Sequence, residues 1–185
     1  LGGRVFFMAD ADGTGPELWI SDGTEAGTRM ISDLSPTGFS GSSPGDAGRA
    51  VFGGVYFFDA YNGISRYLYR TDGLITTLVD PVTTNPFNLV VVGGQLFYAG
   101  ASNLWRLNAV GAIPFRMTDA LGNGFNPFHM TAVGSELFFV NGNDIWRTNG
   151  ALATRLNSPA VPFGIPYTLA AVGSRLFFGA TGFGA

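Results

Sequence analysis

Short apolar runs rich in aromatic and β-branched residues alternate along this chain with Gly, Asp, Asn and Ser, a pattern that predicts strands joined by tight turns. The runs repeat. A small dipeptide followed two residues on by paired aromatics occurs as Gly2-Gly3 with Phe6-Phe7, Gly53-Gly54 with Phe57-Phe58, Gly93-Gly94 with Phe97-Tyr98, Gly134-Ser135 with Phe138-Phe139, and Gly173-Ser174 with Phe177-Phe178. The spacings are 51, 40, 41 and 39 residues. A second marker, an aliphatic-aromatic pair leading to a turn residue, follows in fixed order: Leu18-Trp19 to Asp22-Gly23, Leu68-Tyr69 to Asp72-Gly73, Leu104-Trp105 to Asn108, and Ile145-Trp146 to Asn149-Gly150. Each unit then carries a β-prone stretch, such as Thr76 to Val79, and closes on a run such as Leu89 to Val92 or Met130 to Val133. Four short strands per unit result.

A meander of this kind has two apolar faces, so each sheet must be covered on both sides, and neighbouring units can supply the cover. Radial stacking of four-stranded sheets with a period of about forty residues is the β-propeller; a parallel β-helix usually turns in a shorter period. The expected fold is therefore all-β, a β-propeller of four-stranded antiparallel blades at 4–52, 53–92, 93–133 and 134–172. A fifth begins at 173–185, and the blades are expected to form an incomplete arc of a larger propeller. The first unit is longer, and its excess, Ser35 to Gly48, reads as a loop on one rim.

Composition narrows the function classes. The chain has 185 residues, 46% hydrophobic and only 12% charged, with net charge -3. All ten basic residues are Arg, so there is no electrostatic footprint for nucleic acid or for an anionic membrane. Cys is absent, which removes disulfides and thiol chemistry. No apolar run approaches a membrane span. The start at Leu1, without a signal peptide, is expected of a piece of something longer.

At Glu17-Leu18-Trp19-Ile20-Ser21-Asp22-Gly23-Thr24 the first unit resembles the ELWxxDGT repeat of large bacterial surface and secreted proteins. The similarity extends upstream through Phe6-Phe7, Ala9-Asp10 and Asp12-Gly13-Thr14-Gly15, and downstream through Glu25-Ala26-Gly27-Thr28, Ser32-Asp33 and Pro36. Later copies depart from it: Tyr69 replaces Trp, Asn108-Ala109 replaces Asp-Gly, and the fourth copy lacks the Glu. The resemblance implies a propeller-like exported module, extracellular or at the bacterial cell surface, with no general activity assigned.

Three groups of residues are candidates for chemistry. Asp10, Asp12 and Glu17 line an acidic loop whose oxygens suit calcium, against the plainer reading of an Asp-Gly hairpin turn; no other cofactor is expected. Arg70, Arg106 and Arg147 each follow the blade aromatic and by strand alternation point away from its face. They suit an anionic sugar or carboxylate, against the plainer reading of a hydrogen bond from one blade to the next. His129 is the single His, which leaves no His-rich metal site and no evident triad. A glycosidase needs two carboxylates converging in a cleft, and only Glu136 among the three Glu lies outside the first unit.

The expectation is thus a non-enzymatic binding or adhesion module with a protein or glycan at the propeller rim. The alternative is a structural subunit of a surface assembly whose partners are further blades of the same chain or another subunit. A carbohydrate-active propeller enzyme is a third reading, and neither nucleic acid nor membrane insertion is expected.

Overall fold

In the computed structural model the structure describes residues 2–11, 13, 15–36, 41–156 and 164–181. Every regular element among them is a strand. The chain divides into two compact units, Leu1–Leu89 and Val90–Ala185.

In the first unit, β1 (Val5–Ala9), β2 (Glu17–Ser21) and β3 (Arg29–Ser32) form a three-stranded antiparallel sheet, here sheet A. Next, β4 (Arg49–Phe52), β5 (Val55–Tyr61), β6 (Arg66–Thr71) and β7 (Thr76–Asp80) form the four-stranded sheet B. Strand β8 (Phe87–Val92) runs across the division and opens the four-stranded sheet C with β9 (Gln95–Gly100), β10 (Asn103–Leu107) and β11 (Phe115–Arg116). Sheet D holds β12 (Pro127–Val133), β13 (Glu136–Asn141), β14 (Asp144–Thr148) and β15 (Thr154–Arg155). The hairpin β16 (Pro166–Val172) and β17 (Arg175–Ala180) is sheet F.

The all-β fold and the four-stranded antiparallel sheets agree with the sequence pattern. The sheet limits do not follow the periods, however. The runs that end the units 4–52, 53–92, 93–133 and 134–172 are β4, β8, β12 and β16, and each opens the next sheet. The cause is the turn between them. Gly53 and Gly54 both have positive φ, 56° and 74°, and close a two-residue hairpin in which Phe52 pairs with Val55. A two-residue turn with positive φ at both positions matches the twist of antiparallel strands and joins them directly. Accordingly the segment from 173 supplies the second strand of a hairpin rather than the first strand of a sheet.

The paired aromatics sort the two faces of each sheet. Phe6 faces sheet B, stacked on Tyr56 with ring centroids 4.6 Å apart. Leu18 and Ile31 join it against Phe58, Ala60 and Tyr69, forming the core of the first unit. In the second unit Phe97 and Leu104 of sheet C pack with Leu137 and Phe139 of sheet D, with Trp146 alongside. So in sheets A and C the first aromatic of the pair looks to the sheet that follows in sequence. The second, with the Trp or Tyr opposite it in register, looks to the sheet before: Phe58 pairs with Tyr69, and Phe139 with Trp146. Burying side chains of this size contributes roughly 1.5–3 kcal/mol each.

Candidate functional site

The turn after the blade aromatic is built three times from the same chemistry. The Ser21, Thr71 and Thr148 hydroxyls each accept a hydrogen bond from the N–H of Gly23, Gly73 and Gly150, all at 3.0 Å. These glycines have φ of 93°, 94° and 99°, a region that side-chain-bearing residues resist. The intervening residue caps the turn with its own oxygen: Asp22 takes the Thr24 N–H and hydroxyl, Asp72 takes the N–H groups of Leu74 and Ile75, and Asn149 takes that of Ala151. The Thr24 hydroxyl, then its N–H, holds the Asp22 carboxyl below its ordinary 3.8, and the Ile75 and Leu74 N–H groups do the same for Asp72.

Two of these turns, at Gly73 and Gly150, offer a glycine carbonyl to the preceding sheet, and arginine takes it. Arg29 of β3 donates to the Gly73 carbonyl. In the second unit Arg106 of β10 donates to the Gly150 carbonyl, lies over the Phe115 ring, and approaches Gln95, whose side-chain amide donates to the Asn149 carbonyl at 2.8 Å. Arg106 therefore joins two sheets. Arg147 meets Glu136 of its own sheet at 3.3 Å on a partly exposed surface, and Arg70 sits half-buried between Phe57 and Thr77 in the register of sheet B. The three arginines occupy equivalent strand positions and do different things.

Beside the Arg29 contact lies a pocket of about 220 Å³ lined by Arg4, Ile20, Asp22, Gly27, Arg29 and Leu74. It combines two guanidinium groups, one carboxylate and two aliphatic walls. Sequence reasoning did not single it out, because the register position of Arg29, opposite Ile20, is held in the other sheets by Thr77, Phe115 and Thr154. The shared position of Arg4 and Gln95, each directly after the Gly-Gly turn, was a usable signal.

The described residues of the acidic loop make turn and core contacts. Asp10 accepts the Gly13 N–H at 2.8 Å as a turn cap, and Asp12 lies outside the described residues. Glu17 is buried, its two oxygens accepting from the Ser42 N–H at 2.7 Å, the Ser42 hydroxyl and the Leu34 N–H. Among the described residues no three His, Cys, Asp or Glu side chains converge for a metal. The calcium expectation for Asp10, Asp12 and Glu17 is thus not carried by this geometry, since Glu17 is held inward by its donors.

What Glu17 holds is the long loop of the first unit. Of Ser35 to Gly48, residues 37–40 lie outside the described residues, while Gly41, Ser42, Pro44 and Gly45 are buried. A second carboxylate completes the anchorage. Asp59, with no solvent exposure, accepts from the N–H groups of Ala47 and Gly48 and forms an ion pair with Arg66, which also donates to the Ser43 carbonyl. Burial pushes the Asp59 carboxyl above 3.8, opposed by Arg66 and the backbone donors. Much of the described part of this loop is buried, with Pro36, Asp46 and Ala47 exposed, so the stretch expected on a rim is tethered inward by Glu17 and Asp59. His129 is exposed, with φ of 50°, where the β12–β13 register shifts.

A fold of successive antiparallel sheets, with sheet A latched to B and sheet C to D by a turn and an arginine, belongs to the propeller-type class, and solved structures support that assignment. A prolyl endopeptidase structure aligns with 95% of this chain at TM-score 0.59 and 16% identity. The nidogen/laminin complex aligns with 84% at 0.51 and 17%, and TolB from Acinetobacter baumannii with 90% at 0.52 and 13%. The chain spans 29%, 59% and 43% of those chains, less than two-thirds of each. At such identities the likeness establishes a propeller-type fold alone. No family model and no curated protein matches the chain. Among the described residues no helix is long and apolar enough to cross a membrane.

Proposed function

We propose that this chain is a non-enzymatic, extracellular propeller repeat module of the ELWxxDGT kind that binds a protein or glycan carrying a carboxylate. The observation that carries the reading is the 220 Å³ pocket, where the Arg4 and Arg29 guanidiniums sit between Ile20 and Leu74. Guanidinium groups suit carboxylates through paired donors, and apolar walls accept a ring face or an aliphatic side chain. Protein binding is in keeping with a neighbour whose structure is a nidogen/laminin complex. The enzyme reading has less support: Glu17, Asp59, Glu136 and Asp144 each accept a hydrogen bond or pair with an arginine. Secretion to a bacterial cell surface rests on the repeat resemblance.

The test is titration calorimetry of the whole chain with a uronic-acid oligosaccharide and with an acidic peptide. Leu74 is 70% exposed, so Leu74→Asp should leave folding intact while weakening binding of either probe by about tenfold or more through charge repulsion. Absence of binding to both probes, or binding indifferent to Leu74→Asp, would sink the reading.

A further inference from the structure

The rims where sheet A meets B and sheet C meets D share a plan and differ in the chemistry of one residue. At the C–D rim Arg106 donates to the Gly150 carbonyl, and Gln95, directly after the Gly-Gly turn, completes the contact. Its side-chain oxygen accepts from Arg106 at 3.3 Å while its nitrogen donates to the Asn149 carbonyl at 2.8 Å. The carboxamide lies so close on the turn that a Cβ on Gly150 would overlap its oxygen. A planar group with an acceptor oxygen, carried on two methylenes, is thus the piece that seats between guanidinium and turn.

At the A–B rim Arg29 donates to the Gly73 carbonyl, the equivalent of Gly150. The position of Gln95 is held by Arg4, whose Nη1 would stand 3.4 Å from a Cβ on Gly73. A guanidinium has N–H donors and no acceptor, so this rim presents two donors where the other pairs a donor with an acceptor. Asp22 does not make good the difference. Its Oδ1 takes the Thr24 N–H at 3.0 Å and the Thr24 hydroxyl at 2.7 Å, and among the influences on its carboxyl Thr24 comes first and Arg4 last. Two guanidiniums against this one carboxylate leave the pocket a single positive charge, which one carboxylate balances and a phosphate, at roughly −2, overshoots.

Size and walls narrow the ligand further. At about 220 Å³ the pocket is smaller than the roughly 300–1,000 Å³ that encloses a drug-sized molecule, and it suits one side chain rather than a run of sugar rings. Ile20 of sheet A and Leu74, in the turn of sheet B, wall it, and there is no aromatic ring among the described residues that line it. Aliphatic walls suit a methylene stem whose charged head reaches past them.

We propose that this pocket receives a single glutamate side chain of a partner polypeptide, its methylenes along Ile20 and Leu74 and its carboxylate shared by Arg4 and Arg29. The Gln95 carboxamide, held by Arg106, is the same arrangement made inside the chain. The inference rests on the carboxylate reading of the pocket and names its ligand. The residue after the Gly-Gly turn sets the difference between the rims: Gln95 closes one with the chain's own carboxamide, and Arg4 opens the other to a carboxylate from outside.

The experiment is titration calorimetry of the whole chain with an end-blocked peptide whose one carboxylate is a central Glu, with the same peptide carrying Gln or Asp in its place, and with a uronic-acid oligosaccharide. The Glu peptide should bind. Gln should weaken binding by about tenfold or more through loss of the charge-assisted bonds, and Asp by about fourfold, the effect of one buried methylene. Arg4 is exposed, so Arg4→Gln should keep the fold, as circular dichroism checks, and should lose most of the discrimination between the Glu and Gln peptides, because one partner of the charge is gone. Independently of any variant, raising salt from about 0.05 to 0.5 M should weaken the Glu peptide and leave the Gln peptide unchanged. Equal binding of the Glu and Gln peptides, equal binding of the Glu and Asp peptides, discrimination that survives Arg4→Gln, or a salt effect common to the Glu and Gln peptides overturns the glutamate assignment. Binding of the oligosaccharide without the Glu peptide also overturns it but leaves the carboxylate reading standing, whereas binding of neither removes both.

Discussion

Gly41 and Asp59 show how closely the loop of the first unit is fitted. Gly41 has φ of 60°, and a Cβ there would stand 2.5 Å from the backbone of Gly15 and Pro16. Gly41→Ala combines an unfavourable backbone region with a clash against main chain that cannot step aside, and should cost about 2–4 kcal/mol in urea unfolding. Arg66→Met leaves the Asp59 carboxylate buried with only its backbone donors, and should cost about 3–5 kcal/mol at neutral pH. The two kinds of aspartate also titrate in opposite senses. Asp59, raised above 3.8, binds its proton more tightly in the folded chain, so its contribution is greatest below 3.8 and falls as pH rises toward the folded value. Asp72, lowered below 3.8, contributes above 3.8 and loses that contribution as pH falls through its folded value. In stability measured from pH 2 to 7, Asp72→Asn should flatten the acid limb and Asp59→Asn should remove the opposing slope; the reverse pattern would refute both assignments. Alternation made the direction of Arg106 legible in the sequence. The Asp59–Arg66 pair was not, because its partners meet only once the β5–β6 register sets Tyr61 opposite Arg66.

At the scale of the element, the blade indole is a fixture with a variable hydrogen bond. Trp19 donates from Nε1 to the Ala9 carbonyl at 3.1 Å and Trp105 to that of Gly100 at 2.9 Å. Trp146, at the equivalent site, packs edge-on against Phe125 with centroids 5.0 Å apart, and its buried Nε1 has no partner among the described residues. Trp105→Phe should therefore cost about 1 kcal/mol more than Trp146→Phe, the worth of one hydrogen bond beyond the shared loss of packing. Equal losses by thermal or urea unfolding would count against this. Strand positions were readable because the aromatic pairs and the turn glycines recur. The offset between period and sheet was not, since a repeating string has no marked beginning and only the hairpin geometry at Gly53-Gly54 shows which strands are joined. The bulges between Leu18 and Trp19 and between Leu68 and Tyr69 were equally hidden: they fall at one repeat position, yet no residue type marks them.

For the chain as a whole, repetition makes stability a sum of sheet and interface terms, so a sheet with an uncovered face should open most readily. Amides of β16 and β17, beside the exposed Phe177 and Val172, should exchange with solvent well before those of β9 and β13, where Phe97 and Phe139 are fully buried. Uniform exchange across these strands at low concentration would contradict the additive picture.

The offset between period and sheet also bears on heredity. A genetic unit cut at the Gly-Gly markers would carry three strands of one sheet and the opening strand of the next, so a single copied unit could not close a sheet alone. Copies become useful only in tandem, each lending a strand forward. Unequal crossing-over between two such units removes or adds one whole period wherever the exchange falls, and every sheet in the product still receives its full set of strands. Growth or loss of blades is then tolerated without a privileged breakpoint.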